Sequence, residues 1–167
     1  MQLSKNFTLD EFLISQTAER HSIDMTPDDE VIGNLSALCT SILQPLRDLA
    51  GSPLVISSGY RPLQLNTRIG GSKTSAHVFG RAADLHIVGM TPYKVCEILS
   101  QEGLPYDQNI LEFWKWTHVG IADDPRNEDL TAYAARLDNL KDNKNKTKYV
   151  FGIQTKTEVL DRPGELS

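Results

Sequence analysis

The sequence predicts an α+β fold, with a single domain in which a small, mainly antiparallel sheet is flanked by helices. Apolar residues at helical spacing dominate residues 8–50, whereas short runs typical of strands follow from residue 54 onward. Two of these runs, 109–113 and 116–121, are close enough to form a hairpin. A small, mainly antiparallel sheet flanked by helices is typical of α+β domains, and 167 residues suffice to bury a core without disulfides.

Helix signals organise the N-terminal third. Thr8 and Glu11 have the spacing of a capping box, which predicts a short helix after them. Thr26-Pro27 predicts the start of a long helix, with the threonine hydroxyl as its cap. Pro45 is expected to kink this helix before Gly51 ends it. Its apolar stripe, which we assign to the core, comprises Val31, Leu35, Leu38, Ile42, Leu46 and Leu49.

The central stretch combines short strands with helices. Residues 54–56 are predicted to be a buried strand, followed by a loop over 57–60 and a helix over 63–69. From 81 to 87 small or polar residues alternate with apolar ones, which indicates a strand with one face available for chemistry. That face carries Ala82, Asp84 and His86. A further helix is expected to begin at Thr91-Pro92.

The C-terminal third gives weaker signals. Residues 132–140 fit either a helix or a strand, 141–146 resemble a solvated turn, and 148–151 fit a strand. The last dozen residues lack a periodic apolar pattern and are expected to be frayed. We therefore expect one domain over 1–155, made of leader helices (8–50), a site-bearing core (54–121) and a C-terminal hairpin region (132–153), with a flexible tail over 156–167.

The composition argues against several classes of protein. With 17 basic and 22 acidic residues the net charge is −5, and no basic stripe crosses the centre, so nucleic acid is not expected as a partner. Cys39 and Cys96 stand alone in apolar helical patterns, which indicates buried thiols rather than a disulfide or a thiolate metal site. No apolar run reaches membrane-spanning length, and the N-terminus lacks a signal-peptide pattern. We expect a monomer that is synthesised in the cytoplasm.

Two short segments carry residues suited to a metal site. His77 and Asp84 lie in one loop-rich connection, and His118 lies in the second strand of the hairpin. Two imidazoles and one carboxylate form a zinc site with an open fourth position, where zinc lowers the pKa of a bound water towards about 7. Gly80 allows a sharp turn between the first two residues, and the small Ala82 leaves room for metal and substrate. The alternative, two structural histidines and a surface aspartate, requires three coincidences.

These segments resemble a known family. The chain contains Ser58-Gly59-Tyr60-Arg61, then Ser75-x-His77-x-x-Gly80-x-Ala82-x-Asp84, and finally Trp116-x-His118-Val119. This combination is similar to that of the zinc D-Ala-D-Ala carboxypeptidase-like peptidases, family M15. The likeness is dense over 54–121, and 7–49 resemble the leader helices of short phage and prophage members that act as endolysins. The resemblance implies a hedgehog/DD-peptidase-like zinc peptidase fold.

The resemblance implies a role for each residue of the motif. It assigns His77, Asp84 and His118 as the zinc ligands. His86, on the Asp84 face, could replace a ligand or support one, but the family motif assigns no ligand there. Arg61 is expected to bind a substrate carboxylate or the developing oxyanion, with a structural salt bridge as the alternative.

Further substrate contacts are expected from Ser75, Tyr60 and Trp116. Ser75 either hydrogen-bonds substrate, positions His77 or caps a turn. Trp116 and Trp114 either line the cleft or pack in the core.

The general base departs from the family pattern. Several members place an acid three residues before the last histidine, where this chain has Lys115. Our candidate for the base is Glu112 instead. A three-residue hairpin loop over 113–115 would place Glu112 on the His118 face, whereas a two-residue turn at 114–115 would point it to the other side.

The expected function is zinc-dependent hydrolysis of peptidoglycan stem peptides, on the cell wall after release, with an acidic general base and Zn²⁺ as cofactor. D-Ala-D-Ala carboxypeptidase and L-Ala-D-Glu or cross-bridge endopeptidase activities are both left open, because they share the metal chemistry and differ in pocket shape. The alternatives to an enzyme are a non-catalytic, zinc-containing wall-binding module, which Lys115 favours, and a phage structural domain.

Overall fold

Residues 1–135 and 146–160 are described by the computed structural model of the chain. The helices are α1 (Leu9–Phe12), α2 (Gln16–Arg20), α3 (Asp29–Leu38), α4 (Gln44–Ala50), α5 (Leu63–Arg68), α6 (Pro92–Gln101) and α7 (Lys156–Leu160), with a π-helical segment at Cys39–Leu43 and a 3₁₀ turn at Ala76–Phe79. The strands are β1 (Gln2–Ser4), β2 (Phe7–Thr8), β3 (Leu54–Ser58), β4 (Ala82–Ile87), β5 (Gln108–Glu112), β6 (Trp116–Gly120), β7 (Glu128–Ala135) and β8 (Lys146–Phe151).

A six-stranded sheet in the order β3-β4-β6-β5-β7-β8 forms the centre of the fold, and β1 and β2 pair separately. Neighbouring strands are antiparallel except for β5 and β7, which run parallel with Ile110 beside Leu130. The predicted α+β fold with a mainly antiparallel sheet is therefore confirmed. The parallel pair places β7 and β8 beside the hairpin, so the C-terminal strands extend the same sheet that carries the predicted site.

The sheet has one apolar face and one face that carries polar groups. Ala83, Leu85 and Val119 are fully buried in the main core, where they pack with helical side chains that include Leu35, Leu38 and Ile42. Because successive side chains of a strand point to opposite faces, this packing directs Asp84 and His118 to the other face. Burial of each large apolar side chain contributes about 1.5–3 kcal/mol, and a slip of one residue in register would forfeit it.

The first helices begin at capping residues. The backbone N–H of Thr8 donates to Glu11 Oε1 at 2.8 Å, which confirms the capping box of α1. The predicted cap of the long helix is wrong, because Asp28 rather than Thr26 accepts a backbone N–H bond of 2.8 Å in the first turn of α3. The Thr26 hydroxyl donates to Asp24 instead, and the helix starts two residues later than expected.

The long helix predicted before Gly51 is continuous, but its geometry changes midway. The π-helical segment Cys39–Leu43 separates α3 from α4, immediately before Gln44-Pro45. Pro45 has no backbone N–H and cannot close a normal helical turn, so an irregular turn on its N-terminal side is expected. Gly51 ends α4 in the left-handed conformation, with φ of +61°, as predicted.

Strand β3 is longer than predicted. The loop expected over 57–60 is wrong for Ser57 and Ser58, which belong to the strand. Pairing with β4 is irregular between Ile56 and Ser58, and the Ser57 hydroxyl donates to the backbone oxygen of Asp84 at 3.0 Å. This irregularity shifts the end of β3 beside the part of β4 that carries the predicted site.

Gly80 is required by both its backbone conformation and its surroundings. It has φ of +67°, and a β-carbon there would lie 2.8 Å from the carbonyl oxygen of Val31 on α3. We expect Gly80→Ala to lower the free energy of unfolding by about 2–4 kcal/mol, through left-handed strain together with overpacking. Gly70→Ala is a matched control, because Gly70 has φ of +81° with nothing within 4 Å, so strain alone costs about 1 kcal/mol. Urea unfolding measures the free energy of unfolding of both variants. Equal losses of stability in the two variants would contradict the packing contribution at Gly80.

The C-terminal elements belong to the sheet and its flank. β7 shows that 132–135 form a strand, whereas 136–140 and most of the predicted solvated turn, 141–145, lie outside the described residues. The strand predicted at 148–151 is confirmed as part of β8. Helix α7 occupies 156–160, where no ordered element was expected, and its Val159 is buried against Tyr133 and Val150. Residues 161–167 of the predicted flexible tail lie outside the described part.

Both cysteines are buried and free, as predicted. Burial raises the pKa of the Cys39 thiol and of the Cys96 thiol to about 12, so both stay protonated at neutral pH. In the described ranges, no helix has the length and apolar character needed to cross a membrane.

Candidate metal centre

Three separate segments bring His77, Asp84 and His118 together. His77 lies in the 3₁₀ turn, Asp84 lies in β4, and His118 on β6 is directly opposite Asp84. Gly80 reverses the chain between the first two residues. One potential ligand atom from each of the three residues lies within 4.8 Å of the other two. The structure therefore brings together the three residues that the sequence motif selects as ligands.

The spacing of these atoms suits a single small cation. Asp84 Oδ1 is 2.9 Å from His118 Nδ1 and 3.2 Å from His77 Nε2, and the two nitrogens are 3.2 Å apart. Zinc bonds of about 2.0–2.1 Å at tetrahedral angles separate neighbouring ligand atoms by about 3.3 Å. Two nitrogens and one oxygen at this spacing fit zinc and leave a fourth coordination position open.

The hydrogen bond of His77 Nδ1 determines which ring nitrogen faces the site. His77 Nδ1 is 2.7 Å from the backbone oxygen of Gly59, and a carbonyl oxygen can only accept, so we assign the proton to Nδ1. In the neutral imidazole, Nε2 then presents a lone pair towards Asp84 Oδ1. Two acceptors 3.2 Å apart repel each other unless a cation lies between them, which again fits a metal.

Gly59 is itself held in place by the N-terminal helices. A β-carbon on Gly59 would lie 2.7 Å from the Cα of Phe12, so only glycine allows this close approach. The next residue, Tyr60, donates its backbone N–H to the oxygen of Phe12 at 2.9 Å. Helix α1 thus positions the carbonyl that orients His77.

Burial and hydrogen bonding set the charges of the cluster. Burial opposes ionisation of Asp84, but the charge and hydrogen bonds that the His77 and His118 rings supply in their protonated forms outweigh it and keep the pKa of Asp84 below its usual range. Burial lowers the pKa of His77 more strongly than Asp84 raises it. At neutral pH the pair is therefore a carboxylate beside a neutral imidazole, which are the forms that bind metals.

Arg61 lies beside the cluster. Its NH2 is 3.4 Å from Asp84 Oδ2, and its backbone N–H donates to the oxygen of His77 at 3.0 Å. Burial lowers the pKa of Arg61, and the charges of Asp84 and Glu112 oppose that shift, so the guanidinium remains charged. The predicted alternative, a salt bridge, is thus present. However, Arg61 Nε is buried without a hydrogen-bond partner, which leaves a donor unused.

Glu112 lies on the same side of the sheet as His118. It pairs with Trp116 across the hairpin, and the N–H of Lys115 donates to its backbone oxygen at 2.9 Å, so the loop is Phe113-Trp114-Lys115. This is the three-residue loop that turns Glu112 towards the cluster. Burial and the charge of Asp84 raise the pKa of Glu112, while His118, Arg61 and Trp116 lower it to a smaller extent. A carboxylate with a raised pKa accepts a proton more readily, as a general base must.

A cleft of about 510 Å³ joins these groups. It is lined by the three potential ligands together with Arg61, Ser75, Glu112 and Trp116. Ser75 accepts from the N–H of Val78 at 2.9 Å through its backbone oxygen, so it begins the 3₁₀ turn without using its side chain as a cap. Its hydroxyl remains available to the cleft.

Three other residues considered at the sequence level lie outside this cleft. Tyr60 lines a neighbouring cavity of about 290 Å³, which the leader residues 14–17 share. His86 is exposed and is not part of the metal-binding group. Trp114 donates its indole N–H to the oxygen of Gln154 at 3.0 Å and packs against Tyr133, Val150 and Val159 rather than lining the cleft.

The cleft also contains residues that sequence reasoning missed. Asn66 and Tyr149 both line it. Asn66 is nearly fully buried, and its side-chain N–H donates to the oxygen of Ser72 at 2.5 Å. This bond holds the loop around Ser72, which lines one side of the cleft, in place. The sequence marked Tyr149 only as part of a strand, because nothing local indicates that this strand would lie two positions from β5 in the sheet.

Comparison with known proteins gave one family. The family description Peptidase M15 matches residues 5–120, which is more than half of the chain. No curated protein matches the chain significantly. The matched range includes the leader helices, all three potential ligands and Glu112.

Proposed function

This chain belongs to the peptidase M15 family, and from that premise we propose that it is a zinc-dependent hydrolase of bacterial cell-wall stem peptides. The family is one of zinc peptidases, which supports peptide hydrolysis as the reaction type. The observation that carries the proposal is the convergence of His77, Asp84 and His118 in one cleft with a carboxylate of raised pKa, Glu112. A metal-binding group without an acid nearby would support a structural role equally well.

His77 Nε2, Asp84 Oδ1 and His118 Nδ1 are the atoms that would hold the zinc. When bound, zinc lowers the pKa of a water molecule and polarises a substrate carbonyl. The hydrogen bond from His77 Nδ1 to Gly59 keeps the imidazole in the form and orientation that binding requires.

Glu112 is our proposed general base and acid. It takes a proton from the attacking water and returns it to the amine that leaves. Its raised pKa suits both steps, because the group must gain and lose a proton near the working pH. Several members of the family have an acid at the position of Lys115, which is exposed here. Because Glu112 lines the cleft, it can serve as the base in place of that acid.

Arg61, Ser75 and Trp116 are the proposed substrate contacts. The charged guanidinium of Arg61 has an unused Nε donor that suits a carboxylate or developing oxyanion. Trp116 lines the cleft beside Glu112, and Ser75 supplies a hydroxyl. A buried donor without a partner, such as Arg61 Nε, is costly, so a substrate that satisfies it binds more tightly. Stem peptides offer carboxylates and backbone carbonyls for this purpose.

The proposal is tested by incubating purified protein with bacterial peptidoglycan and with the synthetic stem peptide L-Ala-γ-D-Glu-L-Lys-D-Ala-D-Ala. We expect new amino groups to appear, to stop appearing after treatment with a chelator, and to return when zinc is added. Mass spectrometry of the products identifies the bond, since loss of one alanine indicates a carboxypeptidase and cleavage after the first alanine indicates an endopeptidase. Sedimentation with the wall and no cleavage at any zinc concentration would favour a binding module instead.

A further inference from the structure

Tyr149 lies in the same row of the sheet as Glu112. On β8 it pairs with Ala132, and Ala132 on β7 pairs with Glu112 on β5. Trp116 on β6 pairs with Glu112 from the other side. Residues directly opposite one another on neighbouring strands point to the same face. The order across the open face is therefore Trp116, Glu112, Ala132 and Tyr149.

The spacing allows the phenol of Tyr149 to reach the cleft. Neighbouring strands lie about 4.8 Å apart, so the Cα atoms of Tyr149 and Glu112 are separated by about 10 Å. The residue between them, Ala132, is fully buried and carries only a methyl group, so the tyrosine ring can extend over it. Tyr149 lines the cleft and is 55% exposed. Its hydroxyl makes no hydrogen bond within the described residues.

The negative charge of Glu112 affects the pKa of the Tyr149 phenol. Burial, followed by the negative charge of Glu112, raises the pKa of the Tyr149 phenol. The phenol is therefore protonated at neutral pH and acts as a hydrogen-bond donor. The same effect is a second sign, besides strand register, that the ring lies near the carboxylate.

We propose that Tyr149 donates a hydrogen bond from its hydroxyl to a carbonyl or carboxylate oxygen of the bound peptide, on the side of Glu112 away from Trp116. This inference rests on the proposed function. On the other side of Glu112, the Trp116 indole also lines the cleft and interacts with the Glu112 carboxylate. Tyr149 therefore supplies the donor for the peptide on the β8 side of the base. Tyr149 thus adds a substrate contact from β8, outside the range that matches the family.

The test separates peptide binding from catalysis. The probe is the peptide L-Ala-γ-D-Glu-L-Lys-D-Ala-D-Ala, and its binding to zinc-loaded Glu112→Gln protein is measured by calorimetry. Adding Tyr149→Phe, which removes only the hydroxyl, is expected to weaken binding about 3- to 10-fold, the range of one neutral hydrogen bond. In otherwise unchanged protein, Tyr149→Phe is expected to raise KM by a similar factor while kcat and the acid limb of the pH profile stay the same. Tyr93→Phe, on α6 and outside the cleft, is the matched control.

The outcomes distinguish this inference from the proposed function. Unchanged binding and KM in Tyr149→Phe overturn the inference, even if the wild-type protein hydrolyses the peptide. A shifted acid limb with unchanged binding also overturns it, because the hydroxyl would then bond to Glu112 rather than to the peptide. If the wild-type protein binds the peptide without hydrolysing it, the proposed function fails, and weaker binding by Tyr149→Phe still supports the contact. If the peptide does not bind at all, both fail.

Discussion

Replacing Glu112 with glutamine is expected to reduce peptide hydrolysis by about 10²–10⁴-fold, the usual contribution of a general base, while the zinc content stays at one ion per chain. Glutamine keeps the size of the side chain but cannot take up a proton. Glu112 is not among the three residues that could hold the ion, so metal binding should not depend on it. Initial rates on the stem peptide, together with metal analysis of the same samples, measure both quantities.

The pH profile gives a second expectation for Glu112. Burial and the charge of Asp84 raise the pKa of Glu112 above its ordinary value of 4.5. The base acts only when it is ionised, so activity should fall as the pH is lowered through that raised pKa, above the range of an ordinary glutamate. Glu97→Gln is a suitable control, because Glu97 lies on α6 and pairs with Lys94 away from the cleft. Full activity in Glu112→Gln would assign the base to another group.

Replacing Asp84 with asparagine is expected to lower zinc affinity by more than about 100-fold and to abolish hydrolysis at ordinary zinc concentrations. The change removes the only negative charge among the three potential ligands while it keeps the shape of the side chain. It also removes the charge that faces Arg61 at 3.4 Å, so a small loss of stability should accompany the loss of metal.

The matched control for this change is Asp123→Asn. Asp123 also pairs with an arginine, at 3.3 Å from Arg81, but its side chain is 92% exposed and lies outside the cluster. Zinc titration with a competing chelator, circular dichroism and the hydrolysis assay compare the two variants. Undiminished zinc binding in Asp84→Asn, with the fold retained, would contradict the assignment of Asp84 as a ligand.

The sheet and the metal-binding group could be predicted from the sequence. The motif residues lie close together within short segments, and strand side chains alternate between the two faces with a period of two. Alternation over 81–87 placed Asp84 on the face opposite the apolar core, and the structure has that arrangement. The choice between the two hairpin loops could not be made from sequence. Phe113 and Trp114 both have positive φ, of 53° and 57°, where glycine or asparagine is usual. Tertiary contacts impose this conformation, since the indole of Trp114 bonds to Gln154 far along the chain.

Other differences also depend on contacts that sequence spacing does not reveal. The cap of α3 is Asp28 rather than the predicted Thr26, because the threonine hydroxyl donates to Asp24 instead. Tyr149 was missed because its position beside the cleft requires the parallel pairing of β5 with β7, which no local pattern predicts. Arg61 lines both the cleft and the neighbouring cavity, whereas Tyr60, the residue before it, lines only the neighbouring cavity.

The close contact at Gly59 has a consequence for how the protein can be shortened. Gly59 lies too close to Phe12 to carry a β-carbon, and its backbone oxygen accepts a hydrogen bond from His77 Nδ1–H. The first dozen residues therefore help to position a potential metal ligand, even though none of them lines the cleft. A chain trimmed to begin near residue 20 would lose the contact that positions the His77 imidazole, and it would also lose Phe7 and Phe12 from the main core.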